Sequence, residues 1–185
     1  MLEKYAVLAV MKVILGRPAK RFSVREAAKA TGLSVNACKY SLDFMLGKGM
    51  VRLEKIGKTY QYQASLDSYM ARQWKVLFSL EELDGAGIVQ AILKTGRSIM
   101  SIILYGSTAM GRDDAASDID VLVIADTDMA GKKSIAALAH GTRREINISV
   151  YSPYEWREKA KRDRVFYEQA VMDCIVLYGE RPVVL

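Results

Sequence analysis

The chain has 185 residues, which suits one or two domains, and its 51% hydrophobic and 26% charged residues are typical of a globular protein. Its apolar runs are far shorter than the ~18 residues that a membrane span needs, and the apolar N-terminal segment reads as a core helix rather than a signal peptide. Two cysteines, Cys38 and Cys174, and a single histidine, His140, argue against a disulfide scaffold, a zinc site and a histidine-dependent hydrolase. We therefore expect a reduced, cytoplasmic protein.

The net charge of +6 is distributed unevenly along the chain. Residues 1–67 carry twelve Lys and Arg against five Asp and Glu, whereas residues 68–185 carry fifteen against sixteen. This asymmetry predicts two modules: a basic one that binds polyanions and a second one with a different function.

The basic N-terminal third predicts three helices and a β-hairpin. Apolar residues recur on nearly every turn of 2–15, which indicates a buried helix. Ser23 and Glu26 have the spacing of a capping box and open a short second helix. A Thr-Gly-Leu-Ser turn leads to a third helix over 35–46, and the alternating stretch 50–65 predicts a hairpin that turns at Ile-Gly-Lys.

This order of elements is typical of a winged helix-turn-helix, and the stretch from Phe22 to Ala64 resembles the winged helix-turn-helix domains of prokaryotic transcription regulators. A helix that follows a tight turn can enter the major groove of double-stranded DNA, and a basic hairpin can reach a phosphate. The candidate DNA contacts are Asn36, Lys39, Tyr40, Lys55 and Lys58. The alternative is a protein-interaction module whose lysines are only solvated.

Residues 68–87 predict a linker helix between two domains, 1–67 and 88–185. The helix extends over 68–83, and its apolar stripe predicts core packing or contact with a second copy of the chain in a homodimer. Gly85 and Gly87 are the expected boundary.

From residue 88 onward, strands alternate with helices, which predicts an α/β layer. The expected strands are 101–105, 118–125, 145–151 and 174–179, and the expected helices are 88–95, 131–140, one from Pro153 and 166–172. The chain as a whole is therefore α+β: a winged helix-turn-helix followed by a small mixed sheet with flanking helices.

The most informative segment places Gly106-Ser107 after one strand and Asp118-x-Asp120 at the next, with ten residues between Ser107 and Asp118. Because strand periodicity is two, both carboxylates project from one face. Two such carboxylates repel each other unless a divalent cation lies between them, and oxygen ligands favour Mg²⁺ or Mn²⁺. The alternative is a polar strand edge with solvated acids.

The Gly-Ser turn predicts a phosphate site beside those carboxylates. Gly106 lets the backbone approach a phosphate closely, and Ser107 can donate a hydrogen bond to it. This equipment suits metal-assisted phosphoryl or nucleotidyl transfer, although the chain contains no Walker sequence.

The segment resembles the minimal nucleotidyltransferases of the DNA polymerase β-like superfamily, and the likeness extends over about residues 88–180. The residues that carry it are Gly106, Ser107, Gly111, Ser117, Asp118 and Asp120. The resemblance implies an enzyme that uses a nucleoside triphosphate, ATP being expected. It also implies a divalent cation on Asp118 and Asp120, and nucleotide contacts from Gly106, Ser107, Gly111, Arg112 and Ser117. The chain has Met110 where many relatives carry Arg, and Arg112 is the candidate to compensate.

The resemblance further implies a third carboxylate on a neighbouring strand. Glu145 is the expected third acid, and Asn147 follows on the same face of the strand. If Asn147 occupies that position instead, general-base activity is in question.

A basic stretch and three aromatic residues follow the last of these strands. Residues 157–164 are interpreted as a solvated helix surface, with phosphate or RNA contact as the alternative. Tyr151, Tyr154 and Trp156 are interpreted as packing residues rather than a base-stacking platform.

Two other functions remain open for the whole chain. The first is a DNA-binding transcription regulator whose second domain is an inactive nucleotide sensor or a dimerisation module. The second, implied only by family analogy, is an antitoxin that modifies a partner toxin.

Overall fold

The computed structural model describes residues 4–141 and 144–184. The chain divides into two compact units. The first unit comprises Met1–Phe78 and Gly111–Ala115, and the second comprises Ser79–Met110 and Ala116–Leu185.

The first unit contains helices and a three-stranded antiparallel sheet in the order β1-β3-β2. Its elements are α1 (Ala6–Leu15), β1 (Arg21–Phe22), α2 (Val24–Thr31), α3 (Val35–Gly47), β2 (Val51–Ile56), β3 (Thr59–Ala64) and α4 (Tyr69–Ala86), which ends in the second unit. The predicted capping box of α2 is confirmed, since the Ser23 hydroxyl accepts from Glu26 N–H and the Glu26 carboxylate accepts from Ser23 N–H. Ser34 caps α3, because its hydroxyl accepts from Ala37 N–H.

The core of the first unit is made by apolar side chains from its helices and from β3. α1 contributes one fully buried face, and α3 packs against α1 with buried side chains of its own. The buried members include Val10, Ile14, Leu15, Phe22, Leu42, Met45 and Tyr62.

The second unit is built on a four-stranded mixed sheet. Its elements after α4 are α5 (Ile88–Leu93), β4 (Ser98–Tyr105), α6 (Gly106–Ala109), β5 (Ile119–Asp126), α7 (Met129–Ala136), β6 (Ile146–Tyr151), α8 (Pro153–Arg162), α9 (Arg164–Met172) and β7 (Ile175–Gly179). The strand order is β6-β5-β4-β7, in which only the β5–β6 pair is parallel.

Helices cover both faces of this sheet, because β4 and β5 are apolar on both sides. On one face, alternate residues such as Val121 pack with α5 and α7; on the other, residues such as Leu122 pack with Trp156 of α8 and Val171 of α9. The predicted mixed α/β layer with flanking helices is confirmed; Asp118 lies immediately before the inner strand β5, and Asp120 is the second residue of that strand.

Several elements differ from the sequence predictions. The two-residue strand β1 was not predicted, and it exists only because Arg21 and Phe22 pair with β3. α4 continues through the expected boundary at Gly85, and α7 begins at Met129 rather than 131 because Asp128 caps it. α1 begins at Ala6; residues 2 and 3 of the predicted helix lie outside the described residues.

Within the described part of the chain, no helix combines the length and apolar character that crossing a bilayer requires.

Candidate functional site

Three polar side chains from neighbouring strands meet on one face of the second unit's sheet. Tyr105 of β4 is paired with Asp120 of β5, and Asp120 is paired with Asn147 of β6. Residues directly opposite each other on paired strands project from the same face of a sheet. The three side chains therefore form a row, at the end of the sheet where β4 leads into α6.

The Gly-Ser turn lies directly against this row. Gly106 begins α6 with a φ of +73°, a conformation that favours glycine. A Cβ atom at this position would lie 2.8 Å from Asp120 Oδ2. The backbone of Gly106 thus lies close to the Asp120 carboxylate, and a side chain at position 106 would crowd it.

Asp118 is exposed, lies immediately before β5 and is held at two points. The Asn147 amide donates a hydrogen bond to Asp118 Oδ2 at 3.1 Å. The hydroxyl of the fully buried Thr108, on α6, donates to the backbone carbonyl of Asp118 at 3.1 Å. This last hydrogen bond joins α6 directly to Asp118, so it connects the two ends of the segment between them.

The negative charge of Asp118 acts on the Asp120 carboxylate. Burial raises the pKa of Asp120 above its usual value, a hydrogen bond from Asn147 counteracts this, and the negative charge of Asp118 raises the pKa further. The Asn147 amide therefore contacts both carboxylates. Burial also raises the pKa of Tyr105, with a counteracting hydrogen bond from Ser149 and a further rise from Asp120, so the phenol keeps its proton at neutral pH.

The carboxylates of Asp118 and Asp120 suit a hard divalent cation that takes its other ligands from water and substrate. Across residues 4–141 and 144–184, no group of three or more His, Cys, Asp or Glu side chains is placed to hold a metal ion. Magnesium is commonly bound by one or two carboxylates together with water and substrate phosphates. Asp118 and Asp120, beside the Gly106 backbone, fit that pattern.

Comparison with known protein families identifies the family of this part of the chain. Residues 88–180, just over half of the chain, match the family described as polymerase beta, nucleotidyltransferase. The chain belongs to this nucleotidyltransferase family. Its members generally use a nucleoside triphosphate and a divalent metal ion, and nucleotidyl transfer is the activity of the class. No curated protein matches the chain.

Several solved structures resemble the nucleotidyltransferase chain. They include a Sulfolobus solfataricus protein assigned as a nucleotidyltransferase (18% identity, TM-score 0.39, 57% of this chain and 88% of that one). A toxin–antitoxin complex with AMP-PNP (20%, 0.36, 52% and 74%) and the archaeal chromatin protein TrmBL2 (15%, 0.26, 90% and 70%) also match. Because all three TM-scores lie below 0.5, we draw nothing about this chain from them.

Not all predicted site residues of the nucleotidyltransferase segment lie beside the aspartates. Asn147, rather than Glu145, is paired with Asp120; Glu145 is exposed just before β6, and its backbone carbonyl accepts from Ile119 N–H at 2.8 Å. Its role as the third acid stays a prediction.

Gly111, predicted to bind nucleotide, has a packing role in the structure. It is buried with a φ of +65°, and a Cβ there would lie 2.2 Å from the Arg72 carbonyl oxygen of α4. Arg112 is exposed, and Ser117 is partly exposed directly before Asp118. Their nucleotide contacts stay predictions.

Sequence reasoning did not single out Thr108 and gave Tyr105 no role at the site. The signal for Tyr105 is its position at the end of β4, opposite Asp120. The signal for Thr108 is weaker, because its contact with the Asp118 carbonyl depends on how the segment folds back.

In the first unit, the candidate DNA contacts are all exposed. Asn36, Lys39 and Tyr40 lie on α3, and Lys55 and Lys58 lie on the hairpin formed by β2 and β3. Lys39 pairs with Asp43, which also accepts a hydrogen bond from the Tyr62 hydroxyl at 3.3 Å. The Lys55 ammonium lies 5.9 Å from the centre of the Tyr60 ring. DNA binding by this unit stays a prediction.

Many cations of the basic stretch 157–164 already have acidic partners. Its ion pairs are Lys159–Asp163, Lys161–Glu158, Arg162–Glu158 and Arg164–Glu168. This pairing favours a solvated helix surface. Trp156 is buried against Tyr151, as expected of packing residues, whereas Tyr154 is exposed.

Proposed function

We propose that residues 88–185 form a metal-dependent nucleotidyltransferase that transfers a nucleoside monophosphate from a nucleoside triphosphate, ATP being expected, to an acceptor hydroxyl. The observation that supports this is the close approach of the Gly106 backbone to Asp120, with Asp118 held beside it by Asn147. Family membership supports the class of reaction.

Asp118 and Asp120 are the proposed ligands of a Mg²⁺ or Mn²⁺ ion. When bound, such an ion neutralises the triphosphate and polarises the phosphorus that reacts. Burial and the negative charge of Asp118 make the Asp120 carboxylate costly to keep ionised, and a cation between the two carboxylates would relieve both effects.

The Gly106-Ser107 turn is the proposed seat of the triphosphate, with Ser117 and Arg112 as further contacts. In the proposed reaction an acceptor oxygen bonds to the α-phosphorus, the bond from that phosphorus to the departing bridging oxygen breaks, and pyrophosphate leaves. The acceptor hydroxyl must also lose a proton. Asn147 cannot take it, because a neutral amide is not a base at physiological pH. Glu145 is the proposed proton acceptor.

The test is ATP binding and turnover by the full chain with Mn²⁺, comparing Asp118→Asn and Asp120→Asn with Asp126→Asn. Asp126 is the matched control because it is an exposed aspartate at the far end of the same strand. We expect the first two variants to weaken Mn²⁺-dependent ATP binding by at least about tenfold, the equivalent of 1.4 kcal/mol, and the control to leave it unchanged. Metal-independent binding, or equal effects of all three, would overturn the proposal.

A second function is favoured by Asn147 itself. With an amide beside the two carboxylates, the domain can bind a metal-bound nucleotide and yet transfer it slowly or not at all, as a nucleotide sensor does. Binding of Mn²⁺ and ATP without label transfer to any acceptor, and without an effect of Glu145→Gln, is the result expected of that function.

For the first unit we propose binding of double-stranded DNA by a winged helix-turn-helix over residues 1–67, followed by a linker helix over 68–87. Support comes from the order of α1 to β3 and from the basic excess of this segment. A role in transcription and the modification of a partner toxin stay predictions.

A further inference from the structure

The exposed face of α3 carries one pair of opposite charges. Lys39 and Asp43 are the only charged residues of this helix, which extends over Val35–Gly47, and they form a salt bridge four positions apart. The Lys39 ammonium donates to both oxygens of the Asp43 carboxylate. The helix therefore adds no net charge to the first unit, and the basic excess of residues 1–67 lies in other elements.

The stability of the helix does not account for this pair. On a helix, an acidic residue four positions before a basic one is the more favourable order, and here the order is reversed. The two side chains are 51% and 45% exposed, and exposed pairs contribute little to stability.

A buried tyrosine fixes the acidic member of the pair from the neighbouring sheet. Tyr62 of β3 is 2% exposed, and its hydroxyl donates to Asp43 Oδ1 at 3.3 Å. Burial raises the pKa of Tyr62, so the hydroxyl keeps its proton, and the hydrogen bond to Asp43 raises the pKa of Lys39, so the ammonium keeps its charge. The packing of Tyr62 in the core therefore positions the Asp43 carboxylate, and Asp43 in turn holds the Lys39 ammonium.

An ammonium fixed beside a carboxylate complements the edge of one base pair in the major groove. Guanine presents two neighbouring acceptors there, N7 and O6, and the cytosine paired with it presents the N4 amino donor beside them. Lys39 can donate to the guanine while Asp43 accepts from the cytosine. An A·T pair places its donor between two single acceptors, so the ammonium finds one acceptor rather than two.

The negative charge of Asp43 favours base reading over phosphate binding. The phosphates of DNA repel a carboxylate that approaches them, so Asp43 lowers the affinity for every sequence unless it accepts from a base. A neutral pair releases few counterions and adds little to non-specific affinity. Its contribution is therefore to the choice between sequences.

We propose that the Lys39–Asp43 pair, held in place by Tyr62, reads a G·C base pair in the major groove, with Lys39 donating to guanine and Asp43 accepting from cytosine. This role rests on the proposed DNA binding of the first unit and deepens it by naming a base pair that the unit selects. Tyr62 touches no base and is a positioning residue that acts through Asp43.

The experiment uses the full chain and a pool of duplexes with a randomised central segment, from which the bound duplexes are recovered and sequenced. The variants are Lys39→Met, which removes the ammonium, and Tyr62→Phe, which removes only the hydroxyl. Lys159→Met is the matched control, because Lys159 and Asp163 form a Lys–Asp pair of the same order and spacing in the second unit. Thermal unfolding of each protein establishes that it is folded.

We expect the parent to select a sequence with at least one strongly preferred G·C pair. The preference is the ratio of the affinities for the selected duplex and for the same duplex with A·T at that position, measured by fluorescence anisotropy. In Lys39→Met this ratio should fall at least about fivefold at one position and stay unchanged at the others. Tyr62→Phe should lower the same ratio by a smaller factor, and Lys159→Met should match the parent. A merely structural role would weaken binding to both duplexes together and leave the ratio unchanged.

Three results would overturn the proposal in different places. If the parent recovers no duplex, the proposed DNA binding is refuted, and the reading of G·C with it. If the parent binds duplexes but Lys39→Met loses preference at an A·T position, at all positions equally or nowhere, only the reading of G·C is refuted and DNA binding stands. If Lys39→Met loses the preference while folded Tyr62→Phe keeps it in full, the positioning role of Tyr62 is refuted.

Discussion

Asn147 limits the negative charge of the site to that of two carboxylates, because its uncharged amide lies where a third carboxylate could lie. Its side chain contacts both Asp118 and Asp120. In Asn147→Asp a third negative charge joins two others on one face, so the metal-free protein should lose about 1 kcal/mol of stability, since like charges directly opposite each other repel. The same charge should raise Mn²⁺ affinity by roughly tenfold, because affinity grows with the number of charged ligands. Calorimetry with Mn²⁺ and thermal unfolding with and without the ion measure both effects.

The matched control is Asn147→Ala, which removes the hydrogen bond to Asp118 without adding charge. It should weaken Mn²⁺ binding or leave it unchanged. If Asn147→Asp does not raise Mn²⁺ affinity, Asp118 and Asp120 do not bind the cation beside residue 147. If it raises affinity and also label transfer, the amide limits catalysis in the natural protein.

Residue spacing and strand periodicity predict that Asp118 and Asp120 lie together, and Asn147, which donates to Asp118, is paired with Asp120. Their role as metal ligands stays a prediction. The sequence could not separate Glu145 from Asn147, which are two residues apart and share one face of a strand. The choice depends on the register between β5 and β6, in which Asp120 faces Asn147. That register is set by packing of distant apolar residues, which no local pattern in the sequence reports.

At the scale of elements, α8 shows how local sequence fixes a helix. Ser152 and Glu155 form a capping box, and Glu155 also pairs with Lys132 of α7. The hydrogen bond from Lys132, followed by that from Ser152 N–H, lowers the pKa of Glu155. In the unfolded chain the pKa of such a carboxyl is near 4.5. Because folding lowers this pKa, the carboxyl stabilises the protein fully when the pH lies above 4.5. The effect is lost as the pH falls through the pKa of the folded state.

Glu155→Gln should therefore lower stability by about 1 kcal/mol at neutral pH, the usual size of a capping contribution. The difference from the parent should shrink as the pH is lowered below 4.5. Urea unfolding at a series of pH values measures it. Glu168→Gln, which breaks an exposed pair, should change stability by no more than a few tenths of a kcal/mol at any pH. An equal loss for both variants, or a difference that does not depend on pH, would contradict this account.

Most other elements follow from local signals in the same way. The caps at Ser23 and Ser34 and the alternation in the hairpin predict α2, α3, β2 and β3 correctly. β1 could not be predicted, because two residues carry no periodicity and form a strand only by pairing with β3. The start of α7 was misplaced because Asp128 caps it two residues earlier than the apolar pattern suggests.

Over the whole molecule, positive charge is concentrated in the first 67 residues, while the remainder is close to neutral. The structure shows which of these positive charges are already paired with an acidic side chain and which lie exposed on the hairpin. Lys39 already has Asp43 as a partner, whereas Lys55 and Lys58 lie exposed on the hairpin. Neutralised cations add little to the release of counterions from DNA, so the hairpin lysines should contribute more than Lys39 does.

If the first unit binds double-stranded DNA, the logarithm of the binding constant should fall linearly with the logarithm of salt concentration, with about 0.9 of slope for each phosphate contacted. Lys55→Gln and Lys58→Gln should each reduce that slope by about 0.9, and Lys39→Gln should reduce it by less. Lys94→Gln is the control, because it removes an exposed lysine from the second unit. Fluorescence anisotropy with a mixed-sequence duplex at several salt concentrations measures the slopes. Binding that does not respond to salt, or a Lys94 variant that behaves like the hairpin variants, would show that the basic segment is not the DNA-binding surface.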